Sequence, residues 1–330
     1  MAHVTVFGAG AMGTAIAMHA ARAGLDTALW ANPFDGRALE ALNTVRKHPA
    51  LPEHVPDALA IYGPDELEQS AKGVETVILA STSDTARSLA AMVRDVVGEA
   101  RFVVSVAKGV DTVTGERVSE VLAGELPGAT TVSVGGPCLA SELAGGAPSA
   151  AIWASADVED ARAAGMPLSN HSYQLEFTDD VVGVEVCSTA KNVAAMGIGL
   201  LDGLGRFSDE QYRNAKAALF TKAVKELRVL VEALGGRAET AMGLAGAGDI
   251  LVTSEGGRNR LYGELIGEGD DPQAALRQLE GRGMTVEGVS AARDVHRLAG
   301  ELGLDLPYHA SVYRVLFEGG DPLAVLDALV

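Results

Sequence analysis

The stretch His3-Val4-Thr5-Val6-Phe7-Gly8-Ala9-Gly10-Ala11-Met12-Gly13 decides the fold of this chain. Its first five residues form a short apolar run rich in β-branched side chains, which reads as a buried strand. Three glycines follow in the spacing G-x-G-x-x-G, and an apolar run over 11–23, stopped by Gly24, reads as a helix. Residues 27–30 then read as a second strand, so the order is strand, turn, helix, strand. In that context Gly8 permits the tight turn, Gly10 lets the backbone approach a pyrophosphate, and Gly13 lets the helix pack closely on the sheet. The helix N-terminus at Ala11 and Met12 offers free N–H groups and a partial positive charge to phosphates. A tight turn without a ligand would use the same glycines, so the strand-to-helix context carries the dinucleotide reading.

Outward from this unit, apolar runs at 76–80, 102–106, 131–134 and 150–154 fit further strands. Helical stretches at 83–97 and 115–122 lie between some of them. Alternating β and α elements predict an α/β fold with an N-terminal Rossmann-like, doubly wound, mostly parallel sheet. The character changes near Asp179-Asp180. Beyond it, Ala- and Leu-rich helical periods run over 184–204, 209–234, 272–279, 289–302 and 311–317. The expected organisation is a dinucleotide-binding domain over 1–180 and an all-helical substrate and catalytic domain over 181–330.

The rest of the composition narrows the function. The chain has 330 residues, of which 48% are hydrophobic and 21% charged, an ordinary globular balance with enough apolar surface for a core. A formal net charge of −18 argues against nucleic acid and against an anionic membrane surface. An anionic substrate would need a locally positive site, which gives weight to Lys and Arg inside Gly-rich motifs. Cys138 and Cys187 form neither a CxxC nor a Cys/His cluster, so neither a disulfide framework nor a zinc site is indicated. No run reaches about 20 apolar residues without a charge, so no membrane insertion is expected. The chain reads as cytoplasmic, and a homodimer is the expected assembly. The seven histidines form no cluster, and no metal is expected.

Four loci could carry chemistry. The acid that often binds the adenosine ribose should follow the second strand, but Asn32 stands there, with Arg37 nearby; the sequence does not choose between NAD and NADP. Lys108, in Ala107-Lys108-Gly109, follows a strand end, where doubly wound sheets place ligands; a solvated loop lysine is the bland reading. Lys191, followed by Asn192, lies inside the apolar helix Val184-Glu185-Val186-Cys187-Ser188-Thr189-Ala190-Lys191-Asn192-Val193. A lysine there is paired, or disfavoured in its charged form, or snorkels to solvent, and helix context alone leaves this open. In the first two cases it suits a general acid toward a developing alkoxide. Finally, Asp249 closes Gly243-Leu244-Ala245-Gly246-Ala247-Gly248 and could accept a hydrogen bond from a catalytic lysine. Gly256-Gly257-Arg258-Asn259-Arg260 then reads as a helix start whose N–H groups and guanidinium would hold a phosphate, or as a mere cap with a surface charge.

Taken together, these residues resemble the NAD(P)-dependent glycerol-3-phosphate dehydrogenase family. GAGAMGTAIA, AKG, GGPCLASELA, VEVCSTAKNVAA with LLDGL, NAKAAL, GLAGAGD with GGRNR, and VEG at 286–288 stand in the family's order, from Val4 to about Leu329. The resemblance implies reversible hydride transfer between NAD or NADP and C2 of dihydroxyacetone phosphate, giving sn-glycerol 3-phosphate as a lipid precursor. It makes Lys191 the proton donor, Asp249 its partner, and Lys108 a lysine near cofactor and substrate. Arg258 and Asn259 become the phosphate site, with Arg258 also near the cofactor. Ala140 and Glu287 match cofactor contacts, and Gly136 and Cys138 line the substrate. Three departures stand out. Ser188-Thr189-Ala190 replaces the usual Gly-Ala-Leu or Gly-Ala-Val, and Cys138 replaces Ser or Thr. One or two residues are missing between Asp249 and Arg258, with Gly257 in place of Ser. All lie around the substrate, which keeps two alternatives open. One is a paralogous dehydrogenase of another polyol or ketose phosphate; the other is a non-catalytic dinucleotide sensor.

Overall fold

The computed structural model describes residues 3–111, 114–206 and 212–329. The chain divides into two units, Met1–Val181 and Val182–Val330. In the first, β1 (His3–Phe7), β2 (Asp26–Trp30), β3 (Ala60–Tyr62), β4 (Thr76–Leu79), β5 (Phe102–Ser105), β6 (Thr130–Gly135), β7 (Ser149–Ala154) and β8 (Tyr173–Thr178) form one sheet. Its order is β3-β2-β1-β4-β5-β6-β7-β8. Every neighbouring pair is parallel except β6 with β7. The chain leaves β1 in one direction to β2 and β3, then returns to the other side of β1 at β4. The crevice beyond the carboxyl ends of β1 and β4 is therefore the topological switch point, where ligands bind in such sheets.

Helices cover the sheet: α1 (Ala11–Arg22), α2 (Gly36–Val45), α3 (Leu67–Ser70), α4 (Ser83–Val93), α5 (Val118–Glu125), α6 (Ala140–Gly145) and α7 (Val158–Gly165). Alternation along the strands assigns side chains to two cores. Val4, Val6, Ile78 and Val104 pack with Ile16 and Met18 of α1. Phe7, Val77, Leu79 and Val103 pack with Leu89 and Val93 of α4. Burial on both faces explains why these strands read as continuous apolar runs. Each such side chain contributes about 1.5–3 kcal/mol. The helix expected over 83–97 ends at Val93, and the one expected from 115 starts only at Val118. There the Glu120 carboxylate accepts the Arg117 N–H at 2.9 Å, which fixes the helix start. Strands β3 and β8 went unread in the sequence. β3 has only three residues, none fully buried, and the middle of β8 alternates exposed and half-buried positions.

In the second unit, α8 (Val181–Gly205) is followed by α9 (Arg213–Ala233), α10 (Ala238–Met242), α11 (Asp249–Glu255), α12 (Arg258–Gly267), α13 (Pro272–Gly281), α14 (Gly288–Leu302) and α15 (Pro307–Phe317). No strand occurs among its described residues. The start of the helix expected over 209–234 lies outside the described residues. Among the described residues, α8 alone is long and apolar enough to cross a membrane, but 89% of its apolar window is buried in the protein. A helix buried on nearly all sides is a core helix here. It meets α12 backbone to backbone: a Cβ on Gly199 would stand 2.1 Å from the Arg260 carbonyl oxygen, which only glycine tolerates. On α9, the buried Glu226 accepts the backbone N–H groups of Tyr308 at 2.8 Å and His309 at 3.1 Å, and faces His309 Nδ1 at 2.8 Å. It thereby caps the N-terminus of α15 from a neighbouring helix.

Candidate active site

The glycine turn of the first unit is built as its spacing predicts. Gly8 adopts φ +108°, and its N–H reaches the Trp30 carbonyl at 2.9 Å. A Cβ on Gly13 would lie 2.1 Å from the Gly8 oxygen, so Gly13 is what lets α1 start so close to the strand end. Around Gly10 there is open space: a Cβ there would meet nothing within 4 Å. No side chain caps α1, and its first turn has no acidic residue. An uncapped helix N-terminus beside the open space at Gly10 fits a pyrophosphate.

Asp35, which the sequence reading passed over, braces this turn. One of its carboxylate oxygens accepts the N–H of Ala9 at 2.8 Å and of Asn32 at 3.0 Å. Asn32 Oδ1 accepts the Phe34 N–H at 2.7 Å, closing a local turn after β2. Lys108, Met12, Gly136 and Cys138 line one small pocket, with Tyr173 at its wall. Four predicted residues thus come together in the first unit, and Ala140 opens α6 nearby in sequence. Burial holds the Tyr173 hydroxyl well above its usual pKa range, and the neighbouring Cys138 adds to the effect. Tyr173 was not anticipated, because it sits on the unread strand β8.

In the second unit, Lys191 is 4% exposed and Asp249 is 1% exposed. Lys191 Nζ donates to Asp249 Oδ1 at 2.5 Å and to Thr253 Oγ1 at 3.0 Å. Of the options left open by helix context, the structure shows the paired one. Asp249 follows directly on the π-helical turn Leu244–Gly248 and opens α11, so one continuous helical run carries it. Thr253 follows it by one helical turn and stands 3.4 Å from Asp249 Oδ1. Thr253 was missed, because it closes the apolar run Ile250-Leu251-Val252, which hides its i, i+4 relation to Asp249.

A second polar chain orients Asn192. The Gly288 N–H can only donate, and it does so to Asn259 Oδ1 at 2.9 Å. Asn259 must then offer Nδ2, which reaches Asn192 Oδ1 at 2.9 Å. Asn192 Nδ2 is left as a buried donor with no partner in the protein. Arg258 begins α12 after Gly257, whose φ is +99°, and no side chain caps that helix. The Arg258 guanidinium is half exposed and lies 4.0 Å from Glu287. Residues 258–259 and 287–288 are therefore tied twice, once by charge and once by the amide chain. Each unit thus supplies one group of predicted residues.

A dinucleotide turn in one unit and a buried Lys–Asp–Thr cluster in the other belong to one class of protein, the nicotinamide-dependent oxidoreductases of CH–OH groups. The comparisons with known proteins narrow this. Residues 3–161 match the family described as NAD-dependent glycerol-3-phosphate dehydrogenase N-terminus, and residues 180–327 match its C-terminus. A glycerol-3-phosphate dehydrogenase [NAD(P)+] of Clostridium acetobutylicum is 34% identical, over 98% of this chain and 95% of that protein. An NADP(+)-dependent glycerol-3-phosphate dehydrogenase of Archaeoglobus fulgidus is 31% identical, over 96% of this chain and 95% of that protein. Among solved structures, glycerol-3-phosphate dehydrogenase from Coxiella burnetii superposes with a TM-score of 0.87 at 30% identity, covering 99% of this chain and 98% of its own. The chain belongs to the NAD-dependent glycerol-3-phosphate dehydrogenase family.

Proposed function

We propose that this enzyme interconverts dihydroxyacetone phosphate and sn-glycerol 3-phosphate with NAD(H) or NADP(H), and that Lys191 exchanges the proton. The observation that carries this reading is the buried lysine held by Asp249 and Thr253. The nicotinamide supplies the hydride when bound; the chain does the rest. The turn Gly8, Gly10, Ala11, Met12 and Gly13 holds the pyrophosphate, with Asn32, Ala140 and Glu287 as further cofactor contacts. Lys108, Gly136 and Cys138 line the substrate on the dinucleotide-binding unit. On the helical unit, Arg258, Asn259 and the first N–H groups of α12 hold the phosphate, and Asn192 donates to a substrate oxygen.

In the reducing direction C2 gains a hydride, and its oxygen becomes an alkoxide that needs one proton. Lys191 gives that proton from Nζ and becomes a neutral amine; Asp249 holds Nζ in place and stabilises its charged form before transfer. In the oxidising direction the same amine takes the proton from the C2 hydroxyl. We further propose that the enzyme acts in the cytoplasm as a homodimer and feeds lipid synthesis.

A second reading, a dehydrogenase of a related polyol or ketose phosphate, is favoured by the replacements at Cys138, Ser188-Thr189-Ala190 and Gly257. Initial rates with NADH and NADPH on dihydroxyacetone phosphate and on four-carbon keto phosphates decide between them. The account expects the highest kcat/KM on dihydroxyacetone phosphate. A higher value on a four-carbon substrate establishes the second reading. Cofactor binding with no oxidation on any keto phosphate would instead indicate a sensor.

A further inference from the structure

Lys191 and Asn192 do not exhaust the polar face of α8. Ser188 lies one helical turn before Asn192 and three residues before Lys191, so all three side chains share one face. Ser188 is 2% exposed, as buried as Lys191, and its hydroxyl has no hydrogen-bond partner in the protein. Its neighbour Thr189 is different: that hydroxyl donates back to the Glu185 carbonyl at 3.0 Å. A buried hydroxyl left unsatisfied costs about 1–3 kcal/mol, and a hydroxyl on a helix has the same back-bond available to it. Ser188 does not take it.

The packing of α8 on α12 explains why α12 offers Ser188 no hydrogen-bond partner. The contact stripe climbs both helices together. Gly203 lies against the Glu264 carbonyl, Gly199 against the Arg260 carbonyl, and Asn192 against Asn259. Ser188 is the next position along that stripe, but α12 has already begun, at Arg258. The stripe therefore ends in two orphan polar atoms, Ser188 Oγ and Asn192 Nδ2, beside the lysine that carries the proton. Their chemistry is complementary. The amide nitrogen only donates, whereas the serine hydroxyl can accept. A ligand hydroxyl needs one acceptor for its proton and offers its oxygen to one donor, so the pair matches a hydroxyl. A phosphate, which only accepts, could take a bond from each but would leave the acceptor capacity of the serine unused.

We propose that Ser188 Oγ and Asn192 Nδ2 together receive the free hydroxyl of the substrate, which makes Ser188 a specificity-determining residue. This rests on the reading of dihydroxyacetone phosphate as substrate, whose C1 hydroxyl is the group concerned. The test compares the wild type and Ser188→Ala on dihydroxyacetone phosphate and on its methyl ketone analogue, CH3–CO–CH2–OPO3, which lacks that hydroxyl. Ser188→Ala should lower kcat/KM on dihydroxyacetone phosphate about tenfold. On the analogue the variant should stay within about twofold of the wild type, a result that also shows it to be folded. An equal loss on both ketones, as from a phosphate contact or a packing defect, overturns the proposal. So does no loss on dihydroxyacetone phosphate, as expected if the pair only holds a water. A wild type that fails to reduce dihydroxyacetone phosphate at all overturns the underlying reading, and this proposal with it.

Discussion

At the scale of single residues, the buried lysine is a matter of partners. A lysine in the middle of an apolar helix is costly unless a carboxylate stands beside it, and Asp249 stands at 2.5 Å. Thr253 adds a second contact to the lysine and links it to the aspartate. Thr253→Val keeps the shape and removes the hydroxyl, so kcat should fall about tenfold with little change in thermal stability; Thr253→Ser should restore it. Equal kcat for valine and threonine would show that Thr253 only packs. The pairing of Lys191 with Asp249 was legible as one of the options open to a lysine inside an apolar helix, and Asn192 and Asn259 as amides beside that lysine and at a Gly-rich helix start. Thr253, Asp35 and Tyr173 were not. Each acts through a backbone register or a strand that the sequence does not announce.

At the scale of elements, two buried contacts between distant segments carry stability that no local pattern reveals. Glu226 sits on α9 yet satisfies the first N–H groups of α15, 82 residues away. Glu226→Ala should destabilise the protein by about 3 kcal/mol, because it strips a buried carboxylate from donors that then have no partner. A urea midpoint equal to that of the wild type would contradict this. On α1, His19 is buried, and its Nε2 donates to the Leu168 carbonyl at 2.7 Å. Burial, first, and then Arg22 lower its pKa, with the bond to Leu168 partly opposing them. His48 is lowered as well, again chiefly by burial. Groups depressed in this way release their proton more readily when folded. Their contribution is complete above the unfolded value of 6.5 and is lost as pH falls through it toward the folded pKa. The urea midpoint should therefore drop between about pH 7.5 and about pH 5.5, and His19→Gln should flatten that drop. A His19→Gln slope as steep as the wild-type slope would remove His19 from the account. The sheet itself was legible wherever strands are buried on both faces, as in β1, β4 and β5. It was not legible at β3 and β8, where short length or exposed positions erase the apolar run.

At the scale of the whole molecule, the proposed function asks a chain with net charge −18 to meet an anionic substrate through a few cations in chosen places. Lys108 lies in the dinucleotide-binding unit; Lys191 and Arg258 lie in the helical one. The change of character near residue 180 was visible in the sequence because strand-like runs stop there, and the units divide at Val181. Family membership fixes the kind of reaction, and the residues around the substrate decide how this chain performs it. The central claim is that Lys191 delivers the proton. The most direct measurement follows NADH oxidation with dihydroxyacetone phosphate by Lys191→Ala, beside a fluorescence titration of NADH binding. The account predicts an unchanged dissociation constant and a kcat/KM lower by on the order of 10³-fold. Turnover within about tenfold of the wild type, with the cofactor bound as before, would contradict it.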